Sequence, residues 1–67
     1  MNNKLKTIRC SNLLSQREMS KRLNTTIITY NKIELSKTSG SVKFWTKFQK
    51  EFGIPDMDMW GIINDND

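Results

Sequence analysis

Ser15–Glu34, SQREMSKRLNTTIITYNKIE, is the stretch whose pattern decides the fold. Ser15-Gln-Arg-Glu18 has the form of a capping box: the serine oxygen accepts from the Glu18 amide and the glutamate reaches back. Leu14 and Met19 stand where a hydrophobic staple needs them. Met19 and Leu23 form an i, i+4 apolar pair, with small Ser20 between them. These signals predict a helix over about 15–23. Asn24 follows the last apolar position, and Asn tolerates the left-handed turn that ends a helix. A second helix is predicted over about 26–35, with Thr26 as its cap. Tyr30 and Ile33 then face inward, and Ile27, Ile28, Asn31 and Lys32 lie on outer or flanking faces. The β-branched run Thr25-Thr26-Ile27-Ile28 also suits a strand. A strand would need a pairing partner, and nothing else in the chain offers one.

Working outward, Asn2 or Asn3 can cap a helix over about 3–11, with Leu5 and Ile8 on one face. Leu35–Gly40, LSKTSG, has loop composition. Ser39 or Ser41 can cap a helix over about 41–52. Val42, Trp45, Phe48 and Phe52 form its apolar stripe, and Lys43, Lys47 and Lys50 take the other side. Gly53 is placed to end that helix in a left-handed turn, and Pro55 blocks continuation. A last short helix near 56–63 offers Met57 or Met59, Trp60 and Ile63 as apolar contacts. Residues 64–67 are predicted to be a frayed tail. The fold class expected is all-α, five helices in one compact domain over 1–67.

At 67 residues the chain has room for one small core of marginal stability. One cysteine and no histidine exclude a disulfide framework and a Cys/His zinc site within the chain. No metal or cofactor site is expected. No catalytic residue is expected either: there is no His, no clustered pair of carboxylates and no glycine-rich phosphate loop. The start MNNKLKTIR lacks an apolar signal region, no run is long enough to span a membrane, and a lone thiol suits a reducing compartment. A cytoplasmic location is therefore expected. All eleven Lys and Arg lie between Lys4 and Lys50, against only Glu18 and Glu34, a balance of +9. The other five acids lie in 51–67, a balance of −5. This asymmetry suits either a solvated surface or a basic face for a polyanion.

Two short helices, a tight turn and exposed residues on the second helix match a helix-turn-helix. The pattern Arg9…Ser15-Gln16-x-Glu18-Met19-Ser20-x-x-Leu23-Asn24-Thr25-Thr26…Ile33-Glu34 resembles the Cro/repressor (Xre-type) helix-turn-helix proteins of phages and bacteria. Phe52-Gly53-Ile54 also resembles that family's Leu-Gly-Val close. The resemblance covers about 5–63. Ser20, Asn24 and Thr25 depart from the family's usual alanine, glycine and valine, and the glycine common after the position of Glu34 is missing.

The resemblance implies a lambda-repressor-like fold and sequence-specific binding of double-stranded DNA, as a transcriptional regulator of phage or bacterial type. It also implies an ion pair between Arg9 and Glu34, and contact of Gln16 with the DNA backbone. At the matching positions, where the family presents polar side chains to bases, at least one of Ile27 and Ile28 would pack on thymine methyls while the other can turn inward. Asn31 would address an adenine, and Lys32 a guanine or a phosphate. Lys37, Thr38, Ser39, Ser41 and Lys43 would touch phosphates without reading sequence. Lys4, Lys6, Arg17 and Lys21 would add long-range attraction. One such domain covers a half-site, so a weak homodimer on a two-fold symmetric operator is expected. Met57, Met59, Trp60 and Ile63 are its candidate surface. The alternative is a protein-interaction module on the same fold, such as an antitoxin or antirepressor subunit, using Ile27 and Ile28 as a patch.

Overall fold

The computed structural model describes residues 1–66; Asp67 lies outside the described residues. Five α-helices follow one another: α1 Asn3–Ser11, α2 Gln16–Arg22, α3 Ile27–Glu34, α4 Val42–Phe52 and α5 Asp56–Ile63. There is no strand among the described residues, so the β-branched start of α3 is overridden by its cap and its packing. The radius of gyration is 10.5 Å, close to the about 11 Å expected of a packed chain of this length.

Each of the first four helices starts on a side-chain cap. Asn2 accepts from the Leu5 amide, Ser15 from Glu18, Thr26 from Thr29 and Ser41 from Phe44. The capping box on α2 is complete, because the Ser15 amide also donates to Glu18 Oε1 at 3.0 Å. That backbone bond is the main reason the Glu18 carboxyl lies below its ordinary pKa. α5 has no side-chain cap, but Asp56 and Asp58 in its first turn complement its dipole.

The same four helices end alike. Leu13, Asn24, Ser36 and Gly53 all take left-handed φ, between 54° and 61°. The next amide in each case reaches back over a full turn: Leu14 to the Arg9 carbonyl, Thr25 to Ser20, Lys37 to Lys32 and Ile54 to Gln49, at 2.8 to 3.2 Å. These are Schellman ends. Asn24 and Gly53 are residue types suited to it. Leu13 and Ser36 are not, and each carries a steric cost of about 1–2 kcal/mol.

The core joins all five helices through Leu5, Met19, Leu23, Tyr30, Ile33, Phe44, Trp45, Phe48, Met59 and Ile62. Phe44, Trp45 and Phe48 stack edge-to-face in sequence, with ring centroids 4.9 and 5.5 Å apart. Three apolar positions depart from expectation. Val42 is 84% exposed, because the buried face of α4 centres on Phe44, Trp45 and Phe48. Trp60 is 75% exposed, because α5 turns Met59 and Ile62 inward instead. Met59 is therefore a core residue and does not belong to a surface for a second copy.

Asn64 and Asp65 are also tied down more than a frayed tail would be. Asp65 Oδ2 accepts from the Lys4 amide at 2.8 Å, and the Asn64 side chain caps the Trp60 carbonyl. Asn2 completes this closure. It is buried, its amide group donates to the Ile62 carbonyl at 2.7 Å, and its backbone N–H donates to the Glu34 carbonyl at 2.7 Å.

Candidate nucleic-acid interface

The left-handed turn at Asn24 brings α3 back against α2, and the two helices share Met19, Leu23, Tyr30 and Ile33 in the core. A polar cluster lies at the meeting of α1, α2 and α3. Glu34 is 1% exposed. Arg9 Nε donates to Glu34 Oε2 at 3.0 Å and Nη2 donates to Oε1 at 3.2 Å. Arg9 Nη1 donates to the Leu14 carbonyl at 2.9 Å, at the bend between α1 and α2. The Tyr30 hydroxyl donates to Glu34 Oε2 at 2.5 Å, and Gln16 Nε2 donates to Oε1 at 3.2 Å. Asn31 Nδ2 in turn donates to Gln16 Oε1 at 3.2 Å. Arg9 and Glu34 are thus ion-paired in bidentate geometry.

Among the described residues no buried side-chain polar atom lacks a partner. Burial pushes the Glu34 carboxyl upward, but the bonds from Arg9, Tyr30 and Gln16 outweigh it and hold the group below the ordinary carboxylate value. Its hydrogen bond raises the Arg9 guanidinium still further. Burial, then the bond to Glu34, pushes the Tyr30 hydroxyl far above the ordinary phenol range. Tyr30 is therefore fully committed inside and offers nothing to a ligand.

The sequence-predicted residues fall into two sets. Gln16 and Asn31 are half-buried and bonded to each other, so their amides point first into the junction. Ile27, Ile28 and Lys32 remain on the outer face of α3, with Ile28 67% exposed. Lys37, Thr38 and Ser39 lie exposed on the loop before α4, and Ser41 and Lys43 at its start. The Ser41 oxygen already accepts from Phe44, and the Ser39 carbonyl from Trp45 Nε1 at 3.0 Å. The loop is held in shape by that indole: Gly40 has φ +74°, and a Cβ there would meet Trp45 Nε1 at 2.8 Å. Met57, Trp60 and Ile63 lie on α5, exposed to different degrees.

Residues missed from the sequence include Leu13, 91% exposed in a left-handed conformation, and Arg22 and Lys50, which line a groove described below. The i, i+4, i+7 spacing of Lys43, Lys47 and Lys50 on α4 was the available signal for part of that groove. No group of three or more His, Cys, Asp or Glu able to hold a metal occurs among the described residues. None of the described helices is long and apolar enough to cross a membrane. Comparison with protein families, with curated proteins and with solved structures finds no match to this chain.

Proposed function

We propose that this chain is a sequence-specific double-stranded DNA-binding domain of the Cro/repressor helix-turn-helix kind, with a lambda-repressor-like fold and α3 as the recognition helix in the major groove. Its role would be transcriptional regulation in a phage or bacterium. The observation that carries this is the contrast between the two sides of α3. The helix is capped by Thr26 and clamped by Arg9 and Glu34, while Ile28 and Lys32 are left in water with no partner among the described residues. A large isoleucine held rigidly in solvent beside a lysine suits a thymine methyl next to a guanine edge. The flanking loop supplies Lys37, Thr38 and Ser39 for phosphates. Gln16, bonded to both Glu34 and Asn31, holds the Asn31 amide group in the junction, so Asn31 would reach an adenine only by exchanging that bond for one to the base. Two copies on a two-fold symmetric site, meeting through Met57, Trp60 and Ile63, complete the proposal.

The test is a gel-shift titration against mixed-sequence duplexes at two salt concentrations. Binding that weakens steeply with salt is the expected result. Absence of salt-sensitive binding to any duplex would refute the proposal. It would favour a protein-interaction module in which Ile27 and Ile28 form the patch.

A further inference from the structure

A second concave surface lies away from the outer face of α3. A groove of about 680 Å³ runs between the C-terminal end of α2, the turn after it, and the length of α4. Its walls carry five cations: Lys21 and Arg22 from α2, and Lys43, Lys47 and Lys50 from α4. Only Lys47 has an ion pair among the described residues, with Glu51 at 3.1 Å one turn along the same helix. Cations gathered around one groove sum to a positive potential that attracts a polyanion.

We infer that this groove seats the sugar-phosphate backbone of duplex DNA, extending the contact beyond the recognition helix and its loop. The inference rests on the DNA-binding function proposed above. Three observations select this occupant. First, the groove is continuous with the proposed interface: Thr25, next to the cap of α3, and Ser41, the cap of α4, both line it. Second, the cations on α4 are spaced along a line. Lys43 to Lys50 spans about 10 Å of helix axis, the rise of about three phosphates of one strand. Third, the groove offers no anchor to a protein. Its apolar lining residues, Leu23 and Phe44, are 3% and 6% exposed, whereas protein interfaces are held by aromatic or aliphatic side chains in pockets. What the groove presents is ammonium, guanidinium, hydroxyl and amide groups, which is the chemistry of phosphate contact. No base would be read there, so the groove would raise affinity for every sequence alike.

The test compares two doubly substituted full-length chains of equal net charge. One carries Arg22→Gln and Lys50→Gln in the groove, and the other Lys4→Gln and Lys6→Gln on α1. Circular dichroism establishes that both fold. Fluorescence anisotropy with a labelled mixed-sequence duplex of about two helical turns, about 20 base pairs, then gives the slope of log affinity against log salt. Each lost phosphate contact removes about 0.9 from the slope. The groove pair is expected to lose about 2, and the α1 pair less than half of that. The exchange Arg22→Lys with Lys50→Arg is expected to keep the wild-type slope. Equal losses for the groove and α1 pairs would overturn the groove assignment and leave DNA binding by α3 standing. Failure of the unsubstituted chain to bind with any salt dependence would remove both.

Discussion

The inner and outer sides of α3 follow opposite rules. Inside, Tyr30, Ile33 and Glu34 are buried, and among the described residues no buried side-chain polar atom lacks a partner. Outside, Ile28 stands two-thirds exposed and Lys32 extends into solvent. A folded chain gains about 1.5–3 kcal/mol from burying an isoleucine fully, and here that gain is forgone on an eight-residue helix. The inner side is accounted for by folding alone. The outer side is not, and that difference is what points to a ligand.

The harshest way to break the comparison is to open the inner side. Glu34→Ala leaves the Arg9 guanidinium without its carboxylate and the Tyr30 hydroxyl and Gln16 amide without their acceptor. A loss of about 3–5 kcal/mol is expected, most of the stability of so small a domain. Urea denaturation measures it. Replacing both charges with apolar residues, Arg9→Met with Glu34→Leu, should cost less than Glu34→Ala alone, because no buried charge is orphaned. A double variant less stable than the single one would contradict this account of the junction.

Acid breaks the same side by degrees. The Glu34 carboxyl titrates below its unfolded value, so the unfolded chain binds the proton first as pH falls. The stability Glu34 contributes is complete above its unfolded pKa of about 4.3 and is lost as pH falls through its folded pKa. Tm measured from pH 6 downward should fall at the acid end, and Glu34→Gln should flatten that part of the profile. Tyr30 acts at the other extreme. Its raised pKa means stability is kept up to the ordinary phenol value of about 10 and declines above it.

Smaller effects lie at the surface. Leu13→Gly removes a leucine from a left-handed conformation that it occupies while 91% exposed. Thermal denaturation should show a gain of about 1 kcal/mol. No gain would mean that Leu13 makes contacts which offset its strain. Ile28→Ala should shift stability least, within about 0.5 kcal/mol. Under the proposed function it should nevertheless change which base pairs are preferred in selection from random duplexes, as should Lys32→Ala, whereas Lys37→Ala weakens all sequences alike. Uniform losses for all three would erase the distinction between reading and anchoring residues.

Much of the architecture was legible because it is written locally. Ser15, Thr26 and Ser41 announce helix starts by their own chemistry, and Asn24 and Gly53 announce ends by theirs. Leu13 and Ser36 take the same left-handed turn without a residue type that advertises it; there only the backbone bonds that close the helix ends mark it. The i, i+3 spacing on α4 and α5 established that each helix has an apolar face but not where that face is centred. That is why the pattern places Val42 and Trp60 inside while the fold leaves them outside. Arg9 and Glu34 are 25 residues apart, no local rule links them, and only the family resemblance pairs them in the sequence. For the candidate interface, the outer residues of α3 followed from helical geometry. The inward turn of Gln16 and Asn31 did not, because an amide's choice between solvent and a distant carboxylate is made by the tertiary fold.

Asn2 carries a last consequence, for the order of folding. Its side chain bonds a carbonyl 60 residues away. Closing that span costs about 1.6 kcal/mol more in chain entropy than closing a ten-residue loop. The α2–α3 pair can form through short-range contacts, while α1 and α5 must wait for the chain to come round. In a kinetic experiment, substitutions at Met19 or Leu23 should slow folding, and Asn2→Ala should instead hasten unfolding. A clasp made late and released early would make the two ends of the chain the first part to loosen, while the helix pair proposed to meet DNA stays assembled.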